Sequence, residues 1–425
     1  MSHKSKSLAV GIFIDGDFIP SYNGAKNRVH YLSRYLQRIG VKVVIFYCYR
    51  GWADLKLISQ EPFKTYIFPI DRYYNDLNFL ANLIKKESIN IIQFCDLEST
   101  LSQGIKLSQN TGAYLVSELH YVVSKLAKNL GNPPKRVQSI RQLELATGKI
   151  ADHIICLSAN DSLELRKKMH IVSSRISTIP SGVDLKEIKY RGPNFKAKTA
   201  LFLGNLYFEP NADAVRLISR YIYPALNQKG FRILIVGDCP PELKRQFQAP
   251  NFIFTGSVPN LDEIFRETTV ALSPVREGTG LRIKILNYLG AGLPVIATSA
   301  AASGMSNTKS IIIENNFKKY PKIIFDLFNN PNHALRLAIS SRKIIERNFD
   351  WLIIARRTAE AYKNIISLKI KKKPRFADLG ENLTIGKPDW LEEFERKGRF
   401  KKLSSKIHGN FSHGIINRGE IRIIK

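Results

Sequence analysis

Two glycines followed by two cations at a predicted helix start are the residues of this sequence best suited to chemistry. Gly278 and Gly280 follow a short apolar run, and Arg282 and Lys284 open an apolar-periodic segment that extends to residue 291. A glycine loop before a helix leaves backbone N–H groups unpaired at the positive end of the helix dipole, where cations are unfavourable. A bound anion would explain two cations there, so the stretch predicts a phosphate or diphosphate site. The alternative is a plain strand end, with both cations on a solvated helix face.

The elements around this loop form a strand, a helix and a second strand at 295–298, which is one parallel βαβ step. Strand-like runs alternate with helical patterns along most of the chain. The further strand candidates are 8–14, 41–47, 65–68, 89–94, 114–117, 153–157, 175–179, 200–203, 232–236 and 252–254. This alternation predicts an α/β fold with doubly wound parallel sheets.

The chain divides into two halves of similar make-up. Periodicity is lost at 185–198, so we predict a first domain at 1–190 and a second at 191–348. A helix is predicted within 349–368, and a basic, partly disordered tail is predicted at 369–425. Two α/β halves joined by a short linker imply a cleft between them, which is the usual place for a ligand.

The net charge of +29 over 425 residues favours an anionic partner, although a diffuse excess of Lys and Arg can also reflect genome composition. The basic run at 369–374 is compatible with an anionic membrane surface, an anionic glycan or a role in solubility alone. No signature of a nucleic-acid-binding fold is present, so we expect no nucleic acid partner.

The cysteines and apolar runs indicate the compartment. The four cysteines are far apart, without metal-ligand spacing, and are typical of free thiols in a reducing cytoplasm. No run approaches the roughly 18 apolar residues of a membrane span. We therefore expect a cytoplasmic protein, with peripheral association at the inner face of the membrane as an option.

Short motifs follow one another along the chain in a fixed order. They are SYNG at 21–24, ELH at 118–120, ICLS at 155–158, IPSGVD at 179–184, LFLGN at 201–205, EPNAD at 209–213, IVGD at 235–238, FTG at 254–256, the glycine loop, and NFDW at 348–351. This series resembles the retaining glycosyltransferases of family 4 (GT4, or group 1), which have the GT-B fold of two Rossmann-like domains facing a cleft. The resemblance covers roughly residues 8–367. It implies that the helix at 349–368 packs back on the first domain.

The resemblance assigns the glycine loop to a nucleotide-sugar donor. It implies that Arg282 and Lys284 clamp the donor diphosphate and stabilise it as it leaves. It also places Glu277 beside the donor sugar, the alternative being a pair with Arg276. The backbone contacts to the donor would come from Gly278, Thr279, Gly280 and Leu281.

The remaining implied site residues lie at other strand ends. His120 would contact the donor sugar, and Gly24 would allow close backbone approach to the donor phosphate or the acceptor, or would be an ordinary turn. Gly204 and Gly237 end two strands of the second domain. The sequence leaves open whether this position contacts the base or ribose of the nucleotide. Asn287 stands where the family has a ribose-binding Glu.

The resemblance thus implies an enzyme, of the hexosyltransferase type, that moves a sugar from a nucleotide-diphosphate sugar to a glycan or lipid-linked acceptor with retention of configuration. We expect a role in surface polysaccharide or glycolipid biosynthesis, with no cofactor and no metal. The alternatives are a non-catalytic GT-B binding partner or scaffold of another transferase, and an epimerase acting on a UDP-sugar. Asn287, the Gly24-Ala25 loop and the absence of an Arg/Lys pair after Gly204 favour the non-catalytic alternative.

Overall fold

The structure is a computed structural model that describes residues 7–16, 18–19, 24–50, 54–276, 283–305, 310–367 and 422–424. The chain divides into two compact units. One unit comprises Met1–Ile179 with Ala355–Lys425, and the other comprises Pro180–Ile354. The second division falls within a helix, Trp351–Ser367.

The strands of the first unit are β1 (Ala9–Asp15), β2 (Lys42–Tyr49), β3 (Lys64–Pro69), β4 (Ile91–Phe94), β5 (Tyr114–Leu119), β6 (His153–Cys156), β7 (Ile176–Thr178) and β14 (Arg422–Ile424). They form one sheet with the order β14-β3-β2-β1-β4-β5-β6-β7. All neighbours in this sheet are parallel except β14, which pairs antiparallel with β3.

Helices connect the parallel strands of the first unit. They are α1 (Gly24–Arg38), α2 (Leu55–Ser59), α3 (Ile70–Asn75), α4 (Leu77–Lys86), α5 (Leu97–Ser99), α6 (Ile105–Thr111), α7 (Val123–Asn129), α8 (Pro134–Ile150) and α9 (Ala159–Met169), with a π-helical turn at Thr100–Gly104 and a 3₁₀ turn at Ser173–Arg175. Most of α17 (Trp351–Ser367) also belongs to this unit.

The second unit repeats the same architecture. Its strands are β8 (Thr199–Leu203), β9 (Arg232–Val236), β10 (Phe252–Gly256), β11 (Val270–Ser273), β12 (Val295–Ala297) and β13 (Ile311–Ile313). They form a sheet with the order β10-β9-β8-β11-β12-β13, in which all neighbours are parallel. Its helices are α10 (Glu209–Leu217), α11 (Tyr223–Gln228), α12 (Pro241–Gln246), α13 (Leu261–Arg266), α14 (Ile283–Gly290), α15 (Tyr320–Asn329) and α16 (Pro331–Asn348), with a π-helical turn at Ile218–Ile222 and a 3₁₀ turn at Phe317–Lys319.

Strands covered by helices on both faces must be apolar on both faces, which explains the continuous apolar runs in the sequence. In β1, the ring of Phe13 stacks between those of Phe46 and Phe94, with both centroid distances at 4.5 Å. In the second unit, β8 is buried at every position. The α/β class with parallel, doubly wound sheets is therefore confirmed in both units.

Some elements were not foreseen. The strands β13 and β14 were not predicted from the sequence, and neither were several helices, among them α7, α8 and α13. Residues 368–421, which include the basic run, lie outside the described residues. Within the part of the chain that the structure describes, no helix is long and apolar enough to cross a lipid bilayer.

Candidate active site

The predicted site residues that the structure describes fall into two groups, one in each unit. Part of the glycine loop lies outside the described residues. The predicted residues that lie outside the described residues are Glu277, Gly278, Thr279, Gly280, Leu281 and Arg282. Gly204, Gly237, Lys284 and Asn287 lie in the second unit, and Gly24 and His120 lie in the first.

Gly204 and Gly237 directly follow β8 and β9, which are neighbours in the second sheet. The N–H of Gly204 donates to the carbonyl of Val236 at 2.9 Å. Gly237 has a φ of +133°, and a Cβ at this residue would lie 2.3 Å from the carbonyl oxygen of Gly204. Residue 237 must therefore be glycine for the two strand ends to approach this closely.

Lys284 lies in the first turn of α14, with its ammonium group held near Gly204. Its Nζ donates to Oδ1 of Asn211 at 2.8 Å and lies 4.1 Å from the centre of the Phe202 ring. A Cβ built on Gly204 would lie 3.0 Å from this Nζ. The fold thus brings Lys284 and Gly204 together at the carboxyl edge of the sheet, where α/β folds bind ligands.

Two residues that the sequence analysis did not assign to the site support this lysine. Asn211, in α10, accepts from Lys284 and donates through Nδ2 to the carbonyl of Asn205 at 2.8 Å, so its amide orientation is set from both sides. Tyr288, fully buried, accepts at its hydroxyl from the N–H of Leu203 at 2.6 Å. This bond fixes α14 to the end of β8. Asn211 belongs to the EPNAD motif, but only the fold shows that it meets Lys284.

The segment that enters the glycine loop is anchored on both sides. Arg276 pairs with Asp213, with N–O distances of 2.5 and 2.9 Å, and the hydroxyl of Thr298 donates to the carbonyl of Val275. Ser273, the last residue of β11, is fully buried, and its hydroxyl has no hydrogen-bond partner among the described residues. The strand that leads into the glycine loop therefore ends at a fixed position. The Ser273 hydroxyl at this end is buried and bonds to no other described residue.

Asn287 is half-buried and lies three residues after Lys284 on α14. Residues at this spacing share one face of a helix, so both project to the same side. An amide can donate to and accept from ligand hydroxyls, but it carries no charge. Its place beside Lys284 is compatible with contact to a polar part of a phosphate-bearing ligand.

The first unit contains a cavity of about 470 Å³ at the carboxyl end of β1 and β4. Its walls carry opposite charges and aromatic groups: Asp15, Lys26, Arg50, Tyr74, Asp96, Glu98, His120 and Arg136. Ala25 and Lys26, just after Gly24 at the start of α1, also line it, so α1 points its N-terminus toward this space. Mixed charges of this kind suit a ligand with many hydroxyl groups.

Asp15 organises one wall of the cavity. Its carboxylate forms a two-point pair with Arg50, of which the Nε–Oδ1 distance is 2.6 Å, and accepts from the Tyr74 hydroxyl at 2.7 Å. The ammonium group of Lys26 donates to the backbone carbonyls of Asp15 and Gly16. Burial lowers the pKa of Lys26, although the nearby Asp15 opposes this effect.

Asp96 follows β4, also lines the cavity, and caps the short helix α5, accepting from the N–H of Ser99 at 2.6 Å. Burial, and then the neighbouring charge of Glu98, raise the pKa of Asp96 to about 6. A carboxyl group that titrates this close to neutral pH is suited to exchange a proton with a bound hydroxyl.

His120 follows β5 and is held by the buried Glu118. Its Nε2 lies 2.7 Å from Oε1 of Glu118, whose carboxylate also pairs with Arg28. Burial alone would raise the pKa of Glu118, but the charge of Arg28 and the hydrogen bond from His120 outweigh it, and the pKa is about 2. Of these three residues, only His120 was predicted from the sequence as a site residue.

Cys95, Glu118 and His120 have potential metal-ligand atoms within 4.8 Å of one another. The oxygens of Glu118 already bind Arg28, His120 and Gln93, and the guanidinium group of Arg28 lies 3.0 Å away. A fixed cation at this distance opposes a second one. The cluster therefore fits a hydrogen-bond network better than a metal site.

Solved structures share this fold. Sucrose-phosphate synthase from Thermosynechococcus elongatus matches with a TM-score of 0.68 at 16% identity, over 85% of this chain and 100% of that chain. HepE from Anabaena, in complex with UDP and glucose, matches with a TM-score of 0.65 at 15% identity, over 84% of this chain and 99% of that chain. At these identities the likeness concerns the fold alone.

Sequence comparisons give the family. One of the subunits of phosphatidylinositol N-acetylglucosaminyltransferase from Arabidopsis thaliana is 22% identical over 261 residues, which are 58% of this chain and 52% of that protein. The chain spans about half the length of the curated relatives it matches. The family model described as Glycosyltransferase Family 4 matches residues 22–187, and the one described as Glycosyl transferases group 1 matches residues 197–330. With both units matched in sequence and the GT-B proteins matched in fold, the chain belongs to the group 1 glycosyltransferases of family 4.

Proposed function

We propose that this protein transfers a sugar from a nucleotide-diphosphate sugar to a glycan or lipid-linked acceptor, with retention of configuration, in the synthesis of a surface polysaccharide or glycolipid. The observation that carries the proposal is the ammonium group of Lys284. Asn211 and the Phe202 ring hold it beside Gly204, at the carboxyl edge of the second sheet and at the start of α14. A cation in the first turn of a helix is stabilised when an anion binds there.

In the proposed reaction, the bond between the anomeric carbon and the diphosphate oxygen breaks, and the acceptor hydroxyl oxygen forms a bond to the same carbon. The proton of the acceptor hydroxyl is released to the solvent, and the nucleoside diphosphate departs with one additional negative charge. Lys284 would stabilise that charge as it develops, since fixed cations at a leaving group lower the barrier by several kcal/mol in general. This role requires no metal and no cofactor.

The proposed roles in the first unit follow from its cavity. His120 would contact a hydroxyl of a bound sugar, and Gly24, at the start of α1, would allow backbone approach to a ligand. Asp96, with its pKa near 6, would exchange a proton with a hydroxyl in the same space. The relatives support a sugar ligand, because HepE was solved with UDP and glucose.

The undescribed part of the loop completes the donor site in this proposal. Arg282 would share the diphosphate with Lys284, and Glu277 would bind the donor sugar. Gly204, Gly237 and Asn287 would contact the nucleoside. The basic run at 369–374 would hold the protein at an anionic membrane surface.

A donor screen tests the proposal. Purified protein is titrated with UDP-, GDP- and ADP-sugars by calorimetry, and reactions with candidate acceptors are analysed by product mass and anomeric configuration. Saturable binding of one nucleotide class with a product of retained configuration is expected. No binding of any nucleotide sugar would refute the proposal. Binding without turnover would favour the non-catalytic scaffold, and turnover of the donor without an acceptor would favour an epimerase.

A further inference from the structure

A hydrogen-bond network of buried polar side chains in the first unit ends at His120. The hydroxyl of Tyr362 donates to Oε1 of Gln93, and Nε2 of Gln93 donates to Oε2 of Glu118 at 3.2 Å. Arg28 donates to the same oxygen at 3.0 Å, and Nε2 of His120 lies 2.7 Å from the other oxygen. Arg28, Gln93, Glu118 and Tyr362 are all fully buried. Side chains from α1 and β4 thus meet at one carboxylate of β5, and α17 joins them through Gln93.

The charge of Glu118 sets the direction of every hydrogen bond in this network. An ionised carboxylate only accepts hydrogen bonds, so each group that touches it must donate. Gln93 must therefore turn its NH₂ to Glu118 and its Oε1 to Tyr362, which then must donate. Burial, and then the charge of Glu118, raise the pKa of Tyr362 far above its usual value, so its hydroxyl keeps the proton that it donates.

The same rule fixes the proton of His120. Its Nε2 faces the acceptor Glu118 and must carry the hydrogen, so in the neutral ring Nδ1 carries none. Among the described residues Nδ1 has no hydrogen-bond partner, and His120 lines the cavity of the first unit. The atom left for a ligand is therefore a hydrogen-bond acceptor.

We propose that Arg28, Gln93, Glu118 and Tyr362 are positioning residues that fix Nε2 of His120 as a hydrogen-bond donor to Glu118, so that in the neutral ring the proton lies on Nε2 and Nδ1 accepts a hydrogen bond from a ligand hydroxyl in the cavity. The hydroxyl on a bound sugar is the donor that fits. The naming of the ligand as a sugar rests on the proposed function, whereas the proton position does not. Tyr362 acts at a distance, through Gln93 and Glu118, although it lies 242 residues after His120.

Nitrogen NMR of the full-length protein, with ¹⁵N in the histidine rings, measures the proton position directly. Spectra are recorded at pH 8 without ligand, and His120→Gln identifies the signals. The expected result is a protonated Nε2 and an unprotonated Nδ1. A wild-type ring with the proton on Nδ1 would overturn the inference, whatever the enzyme assays give.

Tyr362→Phe removes one hydroxyl and keeps the buried ring. It therefore tests the hydrogen-bond network even where a variant at Glu118 fails to fold. The Gln93 amide is then free to turn, and the minor Nδ1–H form should rise about fivefold, the equivalent of one hydrogen bond of ordinary strength. Tyr114→Phe is the matched control. The Tyr114 hydroxyl also contacts α17, at the Ile366 carbonyl, but it is not part of this hydrogen-bond network. Equal proton positions in the two variants would refute the role of Tyr362.

A sugar titration separates this inference from the proposed function. If the protein binds a sugar ligand, Tyr362→Phe should weaken binding and Tyr114→Phe should not, and equal affinities in the two variants would overturn the inference. If no nucleotide sugar or glycan binds to the wild type, the proposed function fails, while the NMR spectra still decide where the proton of His120 lies.

Discussion

The buried pair of Arg28 and Glu118 gives a prediction for the acid stability of the first unit. The pKa of Glu118 falls from an ordinary value of 4.5 to about 2 in the folded protein. Because each pKa unit corresponds to about 1.4 kcal/mol, the fold is about 3 kcal/mol more stable with Glu118 ionised than with Glu118 protonated. The folded-state pKa lies below the unfolded one. The stabilisation is therefore fully present above about pH 4.5 and is lost as the pH falls toward 2.

Three variants distinguish the effect of losing one charge of the pair from the effect of losing both. Arg28→Met leaves a buried carboxylate without its cation and should cost about 3–5 kcal/mol at pH 7, and Glu118→Gln leaves Arg28 in the same condition. The double variant removes both charges, so it should be more stable than either single variant. It should also lose less stability than the wild type between pH 5 and pH 3.

The assay must report on the first unit alone, because a chain of two compact units need not unfold in one step. Hydrogen exchange of the amides in Tyr114–Leu119 meets this need, since β5 lies inside the first sheet. A double variant no more stable than Arg28→Met would refute the argument. So would a wild type and a double variant that lose stability equally at acid pH.

Three further predictions concern other features. Lys284→Met should weaken nucleotide-sugar binding about 10–100-fold in calorimetry, the loss of one charge-assisted hydrogen bond, whereas Arg216→Met, in an exposed pair, should not change it. Gly237→Ala should lower the melting temperature of the second unit far more than Gly256→Ala. A Cβ at 237 would lie 2.3 Å from a backbone oxygen, while at 256 it meets open space and costs about 1–2 kcal/mol through a φ of +74°. Replacing the four lysines of 369–374 by Gln should reduce sedimentation with anionic vesicles without removing β14; unchanged sedimentation would exclude this run as the anchor.

The sequence predicted most of the fold because buried parallel strands leave a simple pattern. The runs at 200–203 and 232–236 are apolar at nearly every position, and the structure forms β8 and β9 there. The helix α8 escaped prediction for the opposite reason. Its buried face includes Glu144 and Thr147, so its polar and apolar residues do not separate into two faces. The strand β14 follows a long polar stretch and has only three residues, so its pairing with β3 has no local signal.

The site was predictable where it depends on chain order and not where it depends on contacts. Gly204 and Gly237 end neighbouring strands, and Lys284 starts the helix after a third strand, so a parallel sheet must gather them at one edge. The partner of Lys284 is different. Asn211 lies 73 residues before it, in another helix, and only the packing of α10 and α14 on the sheet brings the two side chains to 2.8 Å.

The network around Glu118 nevertheless left a trace in the sequence. Arg28 occupies the same helical stripe as Leu32 and Leu36, and Gln93 interrupts the apolar run of β4, as Glu118 interrupts that of β5. A buried charge must be paired, so two opposite charges at core positions of one domain imply contact with each other. Their separation of 90 residues hides the pair from any local pattern. A buried ion pair is often no more stabilising than apolar residues of the same volume. The position of this pair beside His120 is therefore better explained by the orientation of that ring than by the stability of the fold.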